Sequence, residues 1–165
     1  WEGNARLGNS QYLVAEADES DGSLVKLASQ IGVITNIELD HPDHYKSLEQ
    51  VVDTFQSFAR QCQHVVGCID CLTVRDRLQP TISYSLNPES AADYLVTNVI
   101  YGADGTIATV WERGEQLGQL RLPLLGQHNL SNALAAIAVG RLLKIEFSAI
   151  ADSLATFEGA RSRFE

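Results

Sequence analysis

The apolar run at residues 31–35, with a polar cluster directly after it, constrains the fold of this chain more than any other feature. An uninterrupted apolar run of this length is typical of a parallel strand that is buried on both faces. Pro42 excludes a regular helix through the polar residues that follow, so the cluster predicts a loop at the end of the strand. We therefore expect a parallel sheet whose connecting loops carry the chemistry.

Segments with strand and helix patterns alternate along the first half of the chain, which favours an α/β fold. Ser47 and Gln50 form a capping-box pattern at the start of a helix, and its apolar side chains recur at helical spacing up to Cys62. This order predicts a mostly parallel sheet flanked by helices. We predict strands at 11–17, 31–36, 64–69 and 81–86, a short helix at 72–78, and a helix or loop at 22–29.

The pattern changes in the second half of the chain. Residues 92–125 contain strand-like runs separated by the turn sequences GADG and RGEQLG, which predict a small antiparallel β meander. The Ala-rich segment that starts at Gly126 is apolar nearly all round and therefore predicts a buried helix. A last amphipathic helix at 148–157 is predicted to end by Gly159. Together these elements predict a single domain over residues 1–165.

The charge balance restricts the classes of partner. Twelve Lys+Arg against 21 Asp+Glu give a net charge of −9, which disfavours a nucleic-acid-binding protein because phosphate contacts need a basic face. No stretch has the apolar length of a membrane span, and the chain has no signal-peptide pattern. The chain contains no methionine and begins at Trp1, so we expect an internal piece of a longer, cytoplasmic protein.

The cysteines fall within one short segment, CQHVVGCIDC. An odd number of cysteines without a secretory signal indicates reduced thiols. Cys62, His64, Cys68 and Cys71 offer an alternative, a zinc site, but structural zinc sites usually show two well-spaced pairs of ligands. We expect reduced, metal-free thiols that pack as small core residues.

Two polar clusters each follow a predicted strand. Glu16 lies in the acidic sequence EADESD, and His41 lies in NIELDHPDHY after the next strand. Ligands of open parallel sheets bind at the carboxyl ends of strands, so we expect Glu16 and His41 to face one crevice and share one ion. Carboxylates suit Mg²⁺, whereas a histidine ligand suits Mn²⁺ or Zn²⁺, so the chemistry leaves the metal open. The alternatives are a solvated loop for the other acidic residues and simple packing for His44 and Tyr45.

Two further clusters suit a nucleotide. The sequence GQHNLSNA places Asn129 and Asn132 on one face at the start of a helix. A carboxamide can pair with an adenine edge, and a helix N-terminus favours anions. Helix capping is the alternative, because Asn is a preferred N-cap residue. Near the end of the chain, Arg161 and Arg163 carry guanidinium groups that suit phosphate, with an ordinary surface position as the alternative.

Four motifs in combination resemble the central domain of the Mur ligase family: EADESD, TNIELDHPDHY, GQHNLSNALAAIAV and FEGARSRFE. They occur in the order and rough spacing of the family, from about Tyr12 to the end of the chain. The resemblance implies an ADP-forming ligase of peptidoglycan synthesis that uses ATP with Mg²⁺ or Mn²⁺ in the cytoplasm. For the full-length enzyme it implies UDP-N-acetylmuramate and L-alanine as substrates and an acyl phosphate intermediate.

The resemblance also implies roles for individual residues. Glu16 and His41 match metal ligands near the γ-phosphate, where an ion would neutralise charge on the reacting oxygens. Arg163 matches an arginine that approaches the ATP phosphates and would act with Glu16 and His41 in catalysis. Ser162 stands where the family usually has a second arginine. The residues that match nucleotide-binding positions are Asn36, His128, Asn129 and Asn132, with Asn132 the strongest candidate for an adenine contact.

The sequence departs from the family pattern in one important respect. A phosphate-binding loop needs a Gly-Lys-Ser/Thr sequence, and none of Lys26, Lys46 and Lys144 follows a glycine. We therefore expect this chain alone to be inactive and its parent protein to be an enzyme. Two other functions remain open: a metal-dependent hydrolase that uses residues 40–44, and a non-catalytic nucleotide-binding domain. Tightly held zinc would favour the hydrolase, whereas weak Mg²⁺–nucleotide binding would favour the ligase.

Overall fold

One mixed sheet with helices on both faces forms the structure, a computed structural model that describes residues 7–157. Within these residues, six strands follow one another across the sheet in chain order. The strands are β1 Ile31–Ile34, β2 His64–Cys68, β3 Ile82–Ser85, β4 Tyr94–Gly102, β5 Gly105–Glu112 and β6 Glu115–Leu122. The helices are α1 Leu48–Ala59, α2 Gln127–Leu142 and α3 Phe147–Ala155, with short helical turns at Ser23–Lys26 and Val74–Leu78.

The first four strands pair in parallel, and the last three form an antiparallel meander. Parallel strands need crossover connections, and α1 lies in the crossover between β1 and β2. The meander turns at residues 103–104 and 113–114, within the predicted turn sequences. Because Tyr84 of β3 aligns with Tyr94 of β4, the meander extends the same sheet. The predicted fold class is confirmed.

Hydrophobic side chains pack on both faces of the sheet. Neighbouring residues of a strand point to opposite faces, and in β2 this places Val65 in the core with α1 and Val66 in the core with α2 and α3. The Ala-rich segment forms a buried helix as predicted, and its Leu130 and Leu134 are fully buried. None of the helices within the described range is long and apolar enough to cross a membrane.

Two strand expectations are wrong. Residues 11–17 form no strand, and Leu13 and Val14 are 92% and 94% exposed. Among residues 7–157, β1 pairs with β2 alone, so it is an edge strand, and its Val33 is exposed where a second buried face was expected. A strand needs hydrogen-bonding groups from a neighbouring strand as well as an apolar sequence, and residues 11–17 find none in the described part of the chain.

The capping-box pattern at the start of α1 is confirmed. Ser47 Oγ accepts a hydrogen bond from the Gln50 N–H at 3.4 Å, and Gln50 Oε1 accepts one from the Lys46 N–H at 2.8 Å. The Ser47 side chain thus satisfies one backbone donor that the helix leaves unpaired, and the Gln50 side chain reaches back to Lys46, one residue before the cap. At the other end of the chain, α3 ends at Ala155, whereas the predicted end at Gly159 lies outside the described residues.

Asp93 joins the parallel and antiparallel parts of the sheet. Its carboxylate accepts hydrogen bonds from the Ser83 N–H at 2.8 Å and from the Ser83 hydroxyl at 3.0 Å. Arg113, in the turn between β5 and β6, donates through Nε at 2.9 Å. Burial opposes ionisation of Asp93, but the hydrogen bonds from Ser83 and Arg113 outweigh it and hold the pKa of this carboxyl below its usual range.

Replacing Asp93 with Asn should destabilise the fold at neutral pH by about 2 kcal/mol, because three donors lose a charged acceptor. A carboxyl with a lowered folded pKa stabilises the fold above its unfolded pKa of about 3.9, and that contribution is lost as the pH falls through the folded pKa. In urea unfolding, the difference between wild type and Asp93→Asn should therefore shrink below about pH 4.

Asp104→Asn provides the matched control for this measurement. Asp104 lies in the exposed turn between β4 and β5, so its replacement should leave the free energy of unfolding at pH 7 nearly unchanged. A stability difference for Asp93→Asn that stays constant from neutral to acidic pH would contradict the assigned role of the carboxylate.

Candidate functional site

A cleft of about 480 Å³ opens at the carboxyl ends of β1 and β2, beside the first turns of α2. Ligands of open parallel sheets often bind at this edge of the sheet. Glu16 and His41, which were predicted to face one crevice, are not among the residues that line this cleft. Residues 35–38 after β1, residues 70–73 after β2, Cys68, and three residues of α2 line it, namely His128, Ser131 and Asn132. Of the predicted nucleotide-binding residues, Asn36, His128 and Asn132 thus meet at one cleft.

The start of α2 presents a polar face to the cleft. His128, Ser131 and Asn132 lie three and four residues apart, which places them on the same side of the helix. Asn132 Nδ2 lies 3.2 Å from His128 Nε2, so the two side chains hold each other in place. Asn129 does not line the cleft, and its Nδ2 donates a hydrogen bond to the Leu125 carbonyl at 2.8 Å. A nucleotide contact from Asn129 stays a prediction.

Asp70 is a cleft residue that sequence reasoning missed. Asp70 follows the end of β2 at Cys68, with Ile69 in between. Its carboxylate accepts a hydrogen bond from the buried Ser85 hydroxyl and another from the Leu86 N–H, at 2.8 Å. These contacts tie the carboxyl end of β2 to that of β3. The strand-end rule that selects Asn36 after β1 applies equally to Asp70 after β2, so the sequence did contain this signal.

The two polar segments that were predicted to meet are in contact. Glu19 Oε1 lies 3.3 Å from His41 Nε2, and the Tyr45 hydroxyl donates a hydrogen bond to the Glu19 carbonyl at 2.7 Å. Tyr45 is buried, and the His44 ring packs edge-on against it with 4.6 Å between ring centroids. These contacts agree with the alternative of simple packing for Tyr45, and with a ring contact for His44, which is otherwise exposed.

The backbone of His41 is held in a left-handed conformation with φ 55°. Few residues other than glycine adopt this conformation, and those that do are often found at functional sites. Asp40 Oδ1 accepts a hydrogen bond from the His41 N–H at 2.7 Å, and the His41 carbonyl accepts bonds from the His44 and Tyr45 N–H groups at 2.9 Å each. These local bonds hold the backbone of His41 in this conformation.

Glu16 lies in an exposed irregular segment, three residues before Glu19. Glu19 makes the contact with His41, so an ion shared by Glu16 and His41 stays a prediction. Residues 7–157 contain no group of three or more His, Cys, Asp or Glu side chains arranged to hold a metal ion. Two protein ligands suit Mg²⁺ where water and phosphate oxygens complete its octahedral shell, which is its usual mode of binding.

Asp18 and Asp21 shape the acidic segment. Each carboxylate accepts a hydrogen bond from the N–H two residues further on, Asp18 from Ser20 and Asp21 from Ser23, at 2.8 Å in both cases. Hydrogen bonds from the side chains and backbone of these serines lower the pKa of both carboxyls. Such turns fold an exposed loop locally, which agrees with the alternative of a solvated acidic loop for these two residues.

All three cysteines are free thiols. Cys62 lies before β2, Cys68 is its last residue, and Cys71 follows it. Cys68 and Cys71 line the cleft, whereas Cys62 precedes the strand and packs beside Gly32. Burial raises the pKa of the Cys62 thiol. Because a strand rises about 3.3 Å per residue, the side chains considered for zinc are spread along β2 and do not converge on one point.

Arg161 and Arg163, the two guanidinium groups considered for phosphate, lie outside the described residues. The phosphate contact of Arg163 therefore stays a prediction.

Comparison with known proteins agrees with this arrangement. The family model described as Mur ligase middle domain matches residues 4–140. The chain belongs to the Mur ligase family. The UDP-N-acetylmuramate–L-alanine ligase of Nostoc punctiforme is 72% identical over 165 residues, which make up 100% of this chain and 34% of that protein. This Mur ligase domain thus spans about a third of the length of the curated relatives that it matches.

Solved structures of Mur ligases share the fold of this domain. The UDP-N-acetylmuramate–alanine ligase of Thermotoga maritima matches with a TM-score of 0.79 and 24% identity, over 90% of this chain and 34% of that chain. The MurF ligase of Thermotoga maritima in complex with ADP matches with a TM-score of 0.69 and 19% identity, over 87% of this chain and 34% of that chain. At these identities the likeness concerns the fold.

Gly22→Ala should disturb the contact between the two polar segments of this Mur ligase domain. Gly22 has φ +71°, and an added Cβ would lie 2.9 Å from His44 Nε2, so the His44 ring must move. Gly114→Ala is the matched control, because Gly114 has φ +86° with open space at its Cβ position. Both variants should lose about 1 kcal/mol through backbone strain. Only Gly22→Ala should shift the NMR signals of the His41 and His44 rings, and unchanged signals would argue against the contact.

Proposed function

We propose that this chain is the ATP-binding central part of a ligase that joins L-alanine to UDP-N-acetylmuramate and forms ADP. The observation that carries the proposal is the 72% identity, over the whole chain, to a protein named UDP-N-acetylmuramate–L-alanine ligase. This function belongs to peptidoglycan synthesis in the cytoplasm, in agreement with the motifs in the sequence. The chain supplies one part of the machinery, since it spans 34% of that relative.

The cleft at the strand ends is the proposed site for the nucleotide base. Its volume of about 480 Å³ falls in the range of small-molecule sites, about 300–1,000 Å³. Asn36, His128 and Asn132 line it, and a carboxamide such as that of Asn132 can donate to and accept from an adenine edge. The amino end of α2 also provides partial positive charge for an anionic ligand. A relative with this fold, MurF, is described in complex with ADP.

The segments around Glu16 and His41 are the proposed site for the γ-phosphate end of ATP, with Mg²⁺ or Mn²⁺. When bound, such an ion neutralises charge on phosphate oxygens. The chain's own contribution is orientation, because Glu19 and Tyr45 hold the His41 segment against the acidic segment. Arg163 would add a guanidinium group to the same phosphates.

Ligation in two steps explains why positioning matters at this site. The carboxylate of the UDP-sugar attacks the γ-phosphorus, ADP leaves, and an acyl phosphate forms. The amine of L-alanine then attacks the acyl carbon, and phosphate leaves. Phosphoryl transfer depends on alignment of the reacting oxygens and on neutralisation of their charge. Polar loops at the ends of rigid strands suit that task, so we assign binding and orientation of ATP to the residues of this chain.

A metal-dependent hydrolase built on residues 40–44 has weaker support. A catalytic zinc ion needs three protein ligands that converge on one point. His41 faces Glu19, whereas His44 packs on Tyr45, so the two histidines of this segment serve different contacts.

Glu16→Ala in the full-length ligase should lower turnover by about 100-fold, because a carboxylate at the phosphates stabilises charge mainly in the transition state. Glu16 is exposed, so the free energy of unfolding should change by no more than about 0.5 kcal/mol. Steady-state kinetics and urea unfolding measure the two effects. Glu115→Ala, at the exposed start of β6, is the matched control and should change neither. Equal losses of activity and stability for Glu16→Ala would contradict the proposed role.

The isolated chain should bind ATP weakly and should neither hydrolyse ATP nor form amide bonds. Contacts to the base from Asn132 and its neighbours supply a few kcal/mol, which corresponds to roughly millimolar affinity. The sequence has no Gly-Lys-Ser/Thr loop to cradle the phosphates. Calorimetry with ATP and Mg²⁺ tests this directly. Micromolar binding by the chain alone would mean that it holds a complete nucleotide site, and the proposal of a partial site would be wrong.

A further inference from the structure

The acidic segment and the loop after β1 are joined through a buried tyrosine. Tyr45 has only 4% of its surface exposed, and its hydroxyl donates a hydrogen bond to the Glu19 carbonyl at 2.7 Å. The two residues are 26 positions apart in the chain. Residues 12–19 belong to no helix or strand, so backbone pairing does not hold the acidic segment in place. The segment therefore depends on side-chain contacts of this kind for its position.

The acidic segment turns back directly against the ring of His44. The Gly22 N–H donates a hydrogen bond to the Glu19 carbonyl at 2.9 Å, which closes the turn. A Cβ added at Gly22 would lie 2.9 Å from His44 Nε2. His44 in turn packs edge-on against Tyr45. The two rings thus form a platform on which the turn rests.

Glu19 contacts this loop at two points. Its carbonyl accepts the bond from Tyr45, and its Oε1 lies 3.3 Å from His41 Nε2. A single contact would leave the segment free to pivot, whereas two contacts from one residue fix its direction. Glu16 lies three residues earlier, and an extended chain spans at most about 3.6 Å per residue. The position of Glu19 therefore limits where the Glu16 carboxylate can lie.

The Tyr45 hydroxyl contributes to position more than to folding. Without it, the Glu19 carbonyl keeps its hydrogen bond from Gly22, so no acceptor is left unpaired. A phenylalanine ring would keep the buried packing and the contact with His44. Tyr45→Phe therefore removes the tie between the two segments and leaves the rest of the platform in place.

We propose that Tyr45 is the positioning residue of the phosphate end of the site: its hydroxyl holds the acidic segment beside His41 before a divalent cation binds. This inference rests on the proposed function of these two segments. A site that is already ordered loses less conformational freedom on binding, so it takes its ligand more tightly. Tyr45 itself touches neither the ion nor the substrate, and it acts through the placement of Glu16 and Glu19.

The Mg²⁺ dependence of the full-length ligase tests the proposal, with free Mg²⁺ as the varied probe and ATP held at saturation. In Tyr45→Phe, the Mg²⁺ concentration for half-maximal turnover should rise about 5-fold, the equivalent of one hydrogen bond. The kcat at saturating Mg²⁺ should stay within about 2-fold, because excess ion restores the same arrangement. In a Glu16→Ala background, Tyr45→Phe should cause no further rise, since both changes act on one segment.

Hydrogen exchange of the protein without ion or nucleotide provides a readout that does not depend on activity. The backbone amides of residues 19–23 should exchange about 5-fold faster in Tyr45→Phe, because the segment opens more readily. The NMR signals of the His41 ring should shift as its contact with Glu19 loosens. Tyr101→Phe is the matched control, since it removes an exposed hydroxyl from β4 and should change neither exchange nor the Mg²⁺ requirement.

Three results would overturn the inference alone. Faster exchange with an unchanged Mg²⁺ requirement would mean that the hydroxyl only stabilises the loop. Unchanged exchange would mean that it does not hold the segment. A lower kcat at saturating Mg²⁺ with the same half-maximal concentration would place its effect elsewhere in the protein. By contrast, a wild-type ligase whose turnover needs no divalent cation would overturn the proposed function of these segments together with the inference.

Discussion

Parallel pairing of β1, β2 and β3 is the constraint on which the cleft depends. Strands that run the same way bring their carboxyl ends to one edge of the sheet, so residues 35–38 and 70–73 emerge side by side. The amino end of α2 reaches this same edge and adds its polar face. If the same strands paired in antiparallel fashion, Asn36 and Asp70 would lie at opposite edges and would enclose no common space.

The short strand β3 connects the two halves of the sheet, and two carboxylates reinforce it. β3 shares only a few aligned residues with each neighbour, so its backbone ladder alone is limited. On the side of the meander, the Asp93 carboxylate accepts hydrogen bonds from Ser83 of β3. On the side of the cleft, the Asp70 carboxylate accepts one from Ser85 of the same strand. Side-chain acceptors thus supplement the backbone pairing of β3, which pairs in parallel with β4, the strand at which antiparallel pairing begins. The shape of the cleft floor depends on this reinforcement, because Asp70 itself lines the cleft.

Much of the fold was predictable because it depends on residues that are close together in the chain. The capping of α1 by Ser47, the turns of the meander and the burial of α2 each follow from a pattern within a few residues. The strand-end rule needs only the order of strands and loops, so it could be applied to the sequence alone, and the ligand site that it predicts stays a prediction. The same rule did not select Asp70, although it applied, because a lone carboxylate between Cys68 and Cys71 forms no recognisable motif. The expected strand at 11–17 was wrong because an apolar sequence cannot supply its own pairing partner.

The sequence by itself determined the helix or strand character of most elements and the edge of the sheet at which the polar loops lie. Its motifs also indicated membership of the Mur ligase family. Only the tertiary structure decided which side chains meet across that edge. It brought Glu19 to His41, and it placed Ser131 above Cys68, a residue 63 positions earlier in the chain. The physical reason is the range of the interactions involved. Hydrogen-bonded turns and helical periodicity act over a few residues, whereas contacts between loops depend on how strand twist, helix packing and left-handed residues such as His41 combine in space.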